Sequence, residues 1–161
     1  MCGIVAILAP KTAVRWHEVL VSLKRLQNRG YDSAGIATLS NGHIGRCRAK
    51  GKLINLEDKL KTEPLSGNAG IGHTRWATHG APNRENAHPH WSQARDIALV
   101  HNGIFENADV LRSKLAELGY AFETETDTEA MIHLIDEAFR ENSALEDAVL
   151  AALHQVEGAY G

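Results

Sequence analysis

Hydrophobic positions in this chain follow two spacings, and each predicts a different element. Gly3 to Ala9 is an unbroken apolar, partly β-branched run closed by Pro10, the pattern of a short buried strand. From Thr12 to Gln27 the apolar residues Trp16, Val19, Leu20, Leu23 and Leu26 recur at helical spacing, and Gly30 stops them. Ala34 to Leu39 and His43 to Arg48 read as strands about Ser40-Asn41-Gly42, since Asn-Gly is the strongest short hairpin signal. Leu53 to Lys61 is a weaker helix, and a loop comes next through Pro64 and Gly67. Ala69 to Thr74 and Ile97 to His101 are the next strands. Ala108 to Leu118 is helical with Gly119 at its end, and Tyr120 to Glu123 has a strand pattern. Thr126 with Glu129, and Ser143 with Glu146, have the spacing of capping boxes. They open helices expected to reach about Asn142 and Val156. The mixture predicts an α+β or layered α/β domain.

One stretch fits neither spacing. Arg75 to Arg95 is rich in His, Asn and Pro, and a loop of about twenty residues without its own structure is usually functional. No composition break or linker divides the 161 residues, a length that suits one ordinary domain.

Charge sharpens this picture only when divided. Residues 1–105 hold 14 Lys and Arg against 7 Asp and Glu, whereas residues 106–161 hold 3 against 13. The basic residues are scattered rather than clustered with aromatics, which argues against a nucleic-acid surface. Arg46, Arg48, Lys50 and Lys52 alternate as on the exposed face of a strand. Two cysteines cannot build a disulfide framework, so a reducing, cytoplasmic setting is expected. No apolar run approaches the roughly 18 residues of a membrane span. The apolar start lacks the basic flank of a signal peptide.

The chemistry-bearing residues each carry two readings. Cys2 is either a small residue opening a core strand or a nucleophile. Aminopeptidase removal of Met1 would give it a free α-amino group, whose pKa of about 7.7–8.0 suits it to take the thiol proton. His101-Asn102-Gly103 ends an apolar run, and is either a plain turn or a pair of oriented donors for an oxyanion. Arg75 is either a surface ion-pair partner or a carboxylate-binding fork. Asp127 either complements a helix dipole or holds a substrate ammonium. His73, His79, His88, His90 and His101 match no zinc-site spacing, so no metal is expected. Taken together, a thiol, an Arg, an Asp and neutral donors are what hydrolysis of an amino-acid side-chain amide requires.

Six blocks make the resemblance specific: Met1-Cys2-Gly3-Ile4-Val5, Arg29-Gly30-Tyr31-Asp32-Ser33-Ala34-Gly35, His73-Thr74-Arg75-Trp76-Ala77-Thr78-His79-Gly80, Asn86-Ala87-His88-Pro89-His90, His101-Asn102-Gly103-Ile104-Phe105-Glu106-Asn107 and Glu125-Thr126-Asp127-Thr128-Glu129. In this order they resemble the N-terminal glutaminase domains of the glutamine–fructose-6-phosphate aminotransferase family, which are N-terminal-nucleophile (class II) amidotransferases. Amidophosphoribosyltransferases share the N-terminal Cys and the His-Asn-Gly but differ around the Arg-Trp-Ala-Thr-His-Gly and Arg-Gly-Tyr-Asp-Ser blocks.

The resemblance implies a four-layer αββα sandwich over residues 2–161, and hydrolysis of L-glutamine to glutamate and ammonia without a cofactor. It implies that Cys2 is the nucleophile, that Asn102 and Gly103 form the oxyanion hole, that Arg75 binds the glutamine carboxylate and that Asp127 binds the α-ammonium. Trp76, Thr78 and His79 match the loop that closes over glutamine. Arg29 matches a residue orienting the N-terminus, and His88 lies in the block beside the site. Fructose 6-phosphate would be met only through an isomerase domain that this sequence lacks, in a parent enzyme expected to be a homodimer. Cys47 has no counterpart role and reads as a strand residue. Against the family the chain looks truncated, with Gly158 to Gly161 expected at an unpaired sheet edge. An inert fragment and an amidophosphoribosyltransferase-type glutaminase are the alternative readings.

Overall fold

The structure is a computed structural model that describes residues 2–9, 14–77, 80–141 and 144–161. The chain divides into two compact units, Met1–Pro89 and His90–Gly161.

The first unit is built on a four-stranded antiparallel sheet. Its strands are β1 (Gly3–Leu8), β3 (Ser33–Ser40), β4 (His43–Lys50) and β6 (Ala69–Arg75), in the order β1-β6-β3-β4. β3 and β4 form the expected hairpin, closing Ser40 on His43 through Asn41 and Gly42 at φ 51° and 79°. Both positive φ values are those of a type I′ turn. Two helices, α1 (Trp16–Arg25) and α2 (Leu53–Thr62), cover one face. Val19, Leu20, Leu23, Leu56 and Leu60 bury fully against Ile36 and Cys47.

α1 is shorter than its periodicity predicts. Val14–Arg15 (β2) pairs instead with Ser66–Gly67 (β5), and the Glu18 carboxylate accepts the Arg15 N–H at 2.8 Å, which fixes the helix start at Trp16. Thr12 lies outside the described residues. Cys47 is a buried strand residue, its thiol pushed up from the usual range chiefly by burial. The alternating arginines of β4 are not a solvated face. Arg48 donates to Glu85 O at 2.7 Å and Ala87 O at 2.9 Å, and Arg46 to Pro89 O at 3.3 Å. Carbonyls of a strand-less segment need donors, and these two side chains supply them.

The second unit carries a small hairpin, β7 (His90–Trp91) with β8 (Ala98–Leu99), and a two-stranded pair, β9 (Gly103–Phe105) with β10 (Gly158–Tyr160). Its helices are α3 (Ala108–Glu117), α4 (Asp127–Glu141) and α5 (Leu145–Leu153). Leu111, Leu115, Met131, Leu134, Ile135 and Ala152 form their shared core.

Four expectations fail here. The strand over Ile97 to His101 shrinks to Ala98–Leu99, and α5 stops at Leu153 rather than near Val156. Gly158–Tyr160 remains an edge strand but is not loose: it pairs on one side with Gly103–Phe105, and Asn102 and Gly161 exchange both N–H···O bonds, at 2.9 and 2.7 Å. Tyr120 to Glu123 forms no strand. Side chains take its N–H groups, Ala121 donating to Gln93 Oε1 at 2.8 Å and Glu123 to Glu129 Oε1 at 2.7 Å. The second capping box falls on Ser143, outside the described residues. The α+β class stands, and no helix of the described residues is long and apolar enough to cross a membrane.

Two measurements test this packing. A Cβ at Gly72 would lie 2.6 Å from Val19 Cγ1 and 3.0 Å from Leu23 Cδ1, so Gly72→Ala should cost about 1–3 kcal/mol by overpacking, read from urea unfolding. Burial lowers the pKa of His101 and of His133 below 6.5, with Asp127 opposing at His101, and Glu129 opposing and Arg112 reinforcing at His133. The unfolded chain therefore binds protons that the folded one refuses, and stability should fall as the pH drops below 6.5. His133→Phe should flatten that slope between pH 7.5 and 5.5, by at most about 1.4 kcal/mol per pH unit.

Candidate active site

In the first unit the pairing of β1 with β6 puts Gly3 opposite Thr74, so the residue before β1 arrives beside the residues after β6. The Trp76 N–H donates to Cys2 Sγ at 3.2 Å, and the thiol reaches Trp76 O at 3.5 Å. Cys2 is half-buried. A backbone N–H aimed at sulfur stabilises charge that develops there.

The backbone of residues 75–77 is itself held by the Arg29–Asp32 turn. The Asp32 N–H donates to Arg75 O at 3.0 Å, and the Ala77 N–H donates to Asp32 Oδ2 at 2.7 Å. Tyr31 packs edge-on against the half-exposed Trp76, ring centres 5.1 Å apart. Asp32 and Tyr31 are the supports that sequence reasoning missed. Both lie in a block that the motifs single out, but nothing local says that their targets come 45 residues later.

Arg75 is buried, which removes the surface ion-pair reading. Its guanidinium donates to Ala81 O at 3.1 Å and Gly80 O at 3.4 Å. The Asn86 side chain also donates to Ala81 O, at 3.0 Å. Gly80 and Ala81 after β6 are therefore held by polar side chains. His88 is buried and stacked on His73, centres 4.2 Å apart. Arg29 is exposed, at the end of a single 3-10 turn, Gln27–Arg29. Thr78 and His79 lie outside the described residues. Among the described residues no three His, Cys, Asp or Glu side chains gather as metal ligands do.

The second unit gathers Asn102, Gly103 and Asp127. Because Asn102 and Gly161 exchange both hydrogen bonds, antiparallel alternation makes Gly103 and Tyr160 the non-hydrogen-bonded pair. The Gly103 N–H therefore turns away from β10. Gly103 holds φ at 132°, and a Cβ there would lie 2.6 Å from Tyr160 Cα, so only glycine fits. Phe105, two residues on, points its N–H the same way, and that one donates to Asp127 Oδ2 at 3.0 Å. The plain-turn reading of His101-Asn102-Gly103 gives way to a strand edge whose outward N–H at Phe105 donates to a carboxylate.

Asp127 is buried at the first position of α4, where the helix dipole favours an anion. The expected Thr126–Glu129 capping box is not what delivers it. The buried Glu129 carboxylate reaches further back, accepting the N–H groups of Glu123 at 2.7 Å and Thr124 at 2.8 Å and the Thr124 hydroxyl at 2.8 Å. Arg112 clamps the same turn through Thr124 O at 2.7 Å and Thr126 O at 3.1 Å, with its guanidinium 4.1 Å from the Phe122 ring centre. His90 Nε2 closes on the Thr126 hydroxyl at 3.1 Å.

The sequence-derived candidates thus fall into two groups, Cys2, Arg29, Arg75, Trp76 and His88 in the first unit and Asn102, Gly103 and Asp127 in the second. A thiol, a guanidinium, a carboxylate and outward N–H groups are the parts that amide hydrolysis on an amino acid uses.

Comparison with known proteins gives a consistent answer. Residues 73–161 match the family described as glutamine amidotransferase domain. The chain is 50% identical over 160 residues to the glutamine–fructose-6-phosphate aminotransferase (isomerizing) of Bartonella quintana, covering 99% of this chain and 26% of that protein. It is 51% identical over 162 residues to the enzyme of the same name from Shewanella oneidensis, again spanning 26% of it. Among solved structures it is similar to the glutamine phosphoribosylpyrophosphate amidotransferase of B. subtilis complexed with ADP and GMP. That match has a TM-score of 0.81 at 28% identity and covers 98% of this chain and 33% of that one. It is also similar to a structure described as the allosteric regulatory enzyme of purine biosynthesis, with a TM-score of 0.82 at 27% identity, over 99% of this chain and 34% of the other.

The two thiols should differ in reactivity. Brief iodoacetamide treatment of the folded chain should label Cys2 and spare the buried Cys47, while both react in denaturant. Peptide mapping by mass spectrometry reads the difference.

Proposed function

The chain belongs to the glutamine amidotransferase family, and from that premise we propose that it hydrolyses L-glutamine to glutamate and ammonia through a thioester on Cys2. The Trp76 N–H on Cys2 Sγ is the observation that carries this reading, because it gives the sulfur a donor from the strand end that bears Arg75.

The steps use only the groups available. With Met1 removed, the Cys2 α-amino group takes the thiol proton and the thiolate attacks the side-chain amide carbon. The carbonyl oxygen becomes an oxyanion that accepts hydrogen bonds from the Asn102 side chain and the Gly103 N–H. The α-ammonium of Cys2 passes its proton to the amide nitrogen, the C–N bond breaks, and ammonia leaves a glutamyl thioester. Water, deprotonated by the same amine, attacks the thioester and the C–S bond breaks, giving glutamate and the free thiol. Arg75 pairs with the substrate carboxylate and Asp127 with its α-ammonium. Trp76, Thr78 and His79 cover the bound glutamine, Arg29 orients the N-terminus, and His88 supports the loop. No step needs a metal or cofactor.

The chain spans about a quarter of the curated relatives it matches, 26% of their length. In a protein of that length, we propose, the ammonia aminates fructose 6-phosphate. Identity of 50–51% to the aminotransferases against 27–28% to the two solved structures favours this acceptor over a phosphoribosyl one.

The test is glutamate release from glutamine by the purified chain, alongside its intact mass. Cys2→Ala should reduce the rate by at least about a thousandfold, and activity that survives it removes the nucleophile assignment. A chain that has lost Met1 and still releases no glutamate favours the inert-fragment reading.

A further inference from the structure

We propose that His101 and Thr128 are positioning residues that orient the Asp127 carboxylate for an α-ammonium, and so set the preference for an α-amino acid without touching it. The proposal deepens, and rests on, the assignment of Asp127 to the glutamine ammonium.

Asp127 is held at both oxygens by groups that belong to other residues' backbone and side chains. Its Oδ2 accepts the Phe105 N–H at 3.0 Å, and its Oδ1 faces the Thr128 hydroxyl at 3.4 Å. A threonine hydroxyl has one hydrogen to give. If it goes to Asp127, the 3.0 Å contact between Thr128 Oγ1 and His101 Nδ1 must be donated by the ring. In that arrangement the ring is the Nδ1–H tautomer and the chain runs from His101 through Thr128 to Asp127.

The ring has little freedom to turn. His101 is buried and lies nearly parallel to Phe105, centres 4.2 Å apart and planes 18° apart. Phe105 therefore restrains the carboxylate twice, through its own N–H and through the histidine stacked on it.

The charge state suits the role. Burial holds the His101 pKa below its ordinary value, with Asp127 pulling the other way. A neutral imidazole orients the hydroxyl without adding a cation that would compete with a ligand ammonium for the same carboxylate. Lysine or arginine in its place would neutralise the site.

The experiment measures equilibrium binding to the full chain by calorimetry, with L-glutamate and glutarate as the probes. They differ only in the α-amino group, and neither is turned over. His101→Ala and Thr128→Val should each weaken L-glutamate about tenfold while leaving glutarate within about twofold. His101→Asn, whose amide N–H stands near the Nδ1 position, and Thr128→Ser should restore most of the loss. Equal weakening of both probes would mean general damage and overturn the proposal. So would an unchanged L-glutamate affinity in His101→Ala and Thr128→Val when Asp127→Asn does weaken it. If Asp127→Asn has no effect, or the unmodified chain binds L-glutamate no better than glutarate, the Asp127 assignment itself falls and this inference with it.

Discussion

The first unit depends on how closely β6 approaches α1. β6 is an inner strand, paired with β1 on one side and β3 on the other, and its glycines let Val19 and Leu23 of α1 pack onto bare backbone. A side chain at Gly72 would push the helix off the sheet. With the helix seated, the register of β6 against both neighbours has no slack, because a slip of one residue would turn every side chain to the wrong face. The first half of the proposed site depends on that register. It sets Gly3 opposite Thr74, brings Cys2 Sγ under the Trp76 N–H, and leaves Arg75 at the strand end where the irregular segment begins.

Beyond β6 the chain is ordered by a different means. Among the described residues, neither the segment before β7 nor the turn before α4 has ladder partners, yet their backbone groups still require hydrogen bonds. Charged and amide side chains supply them. Arg75, Arg46, Arg48 and Asn86 serve the carbonyls of the first segment, while Glu129 and Gln93 serve the N–H groups of the second and Arg112 its carbonyls. Those to Arg and Glu are half-buried contacts to charged groups, each worth more than a neutral bond and costly to leave unmade. The arrangement explains why, within each unit, residues that look like scattered surface charge gather on these irregular segments. It also gives Arg75 two tasks, since the group proposed to bind the substrate carboxylate also holds Gly80 and Ala81.

Much of this was legible in the residues. The helical faces of α1 and α4, the Asn-Gly hairpin and the strand that became β6 arise from short-range periodicity, and they came out within a few residues. Cys2, Arg75, Asp127 and the Asn-Gly pair stood out as candidates, because few residue types could serve as nucleophile, carboxylate fork, ammonium partner and oxyanion donor. The family resemblance added Trp76, Arg29 and His88 as candidates, which spacing does not single out. The misses have a common cause. Tyr120 to Glu123 has a strand-like pattern, but Gln93 takes the Ala121 N–H and Glu129 that of Glu123. Gly158 to Gly161 looked like a loose end, but its partner Asn102–Phe105 is more than fifty residues away in the chain.

The sequence by itself determined the elements and the chemical inventory, since both depend on residue type and on contacts within about one turn or one hairpin. The tertiary structure decided which groups serve which. Asp32, Tyr31, His101 and Thr128 are ordinary residues in the chain, and they matter only because distant segments meet them. Hydrogen bonds are short and directional, and no local pattern encodes a partner 27 or 45 residues away. Those pairings arise only when apolar burial has fixed the strands and helices that carry them.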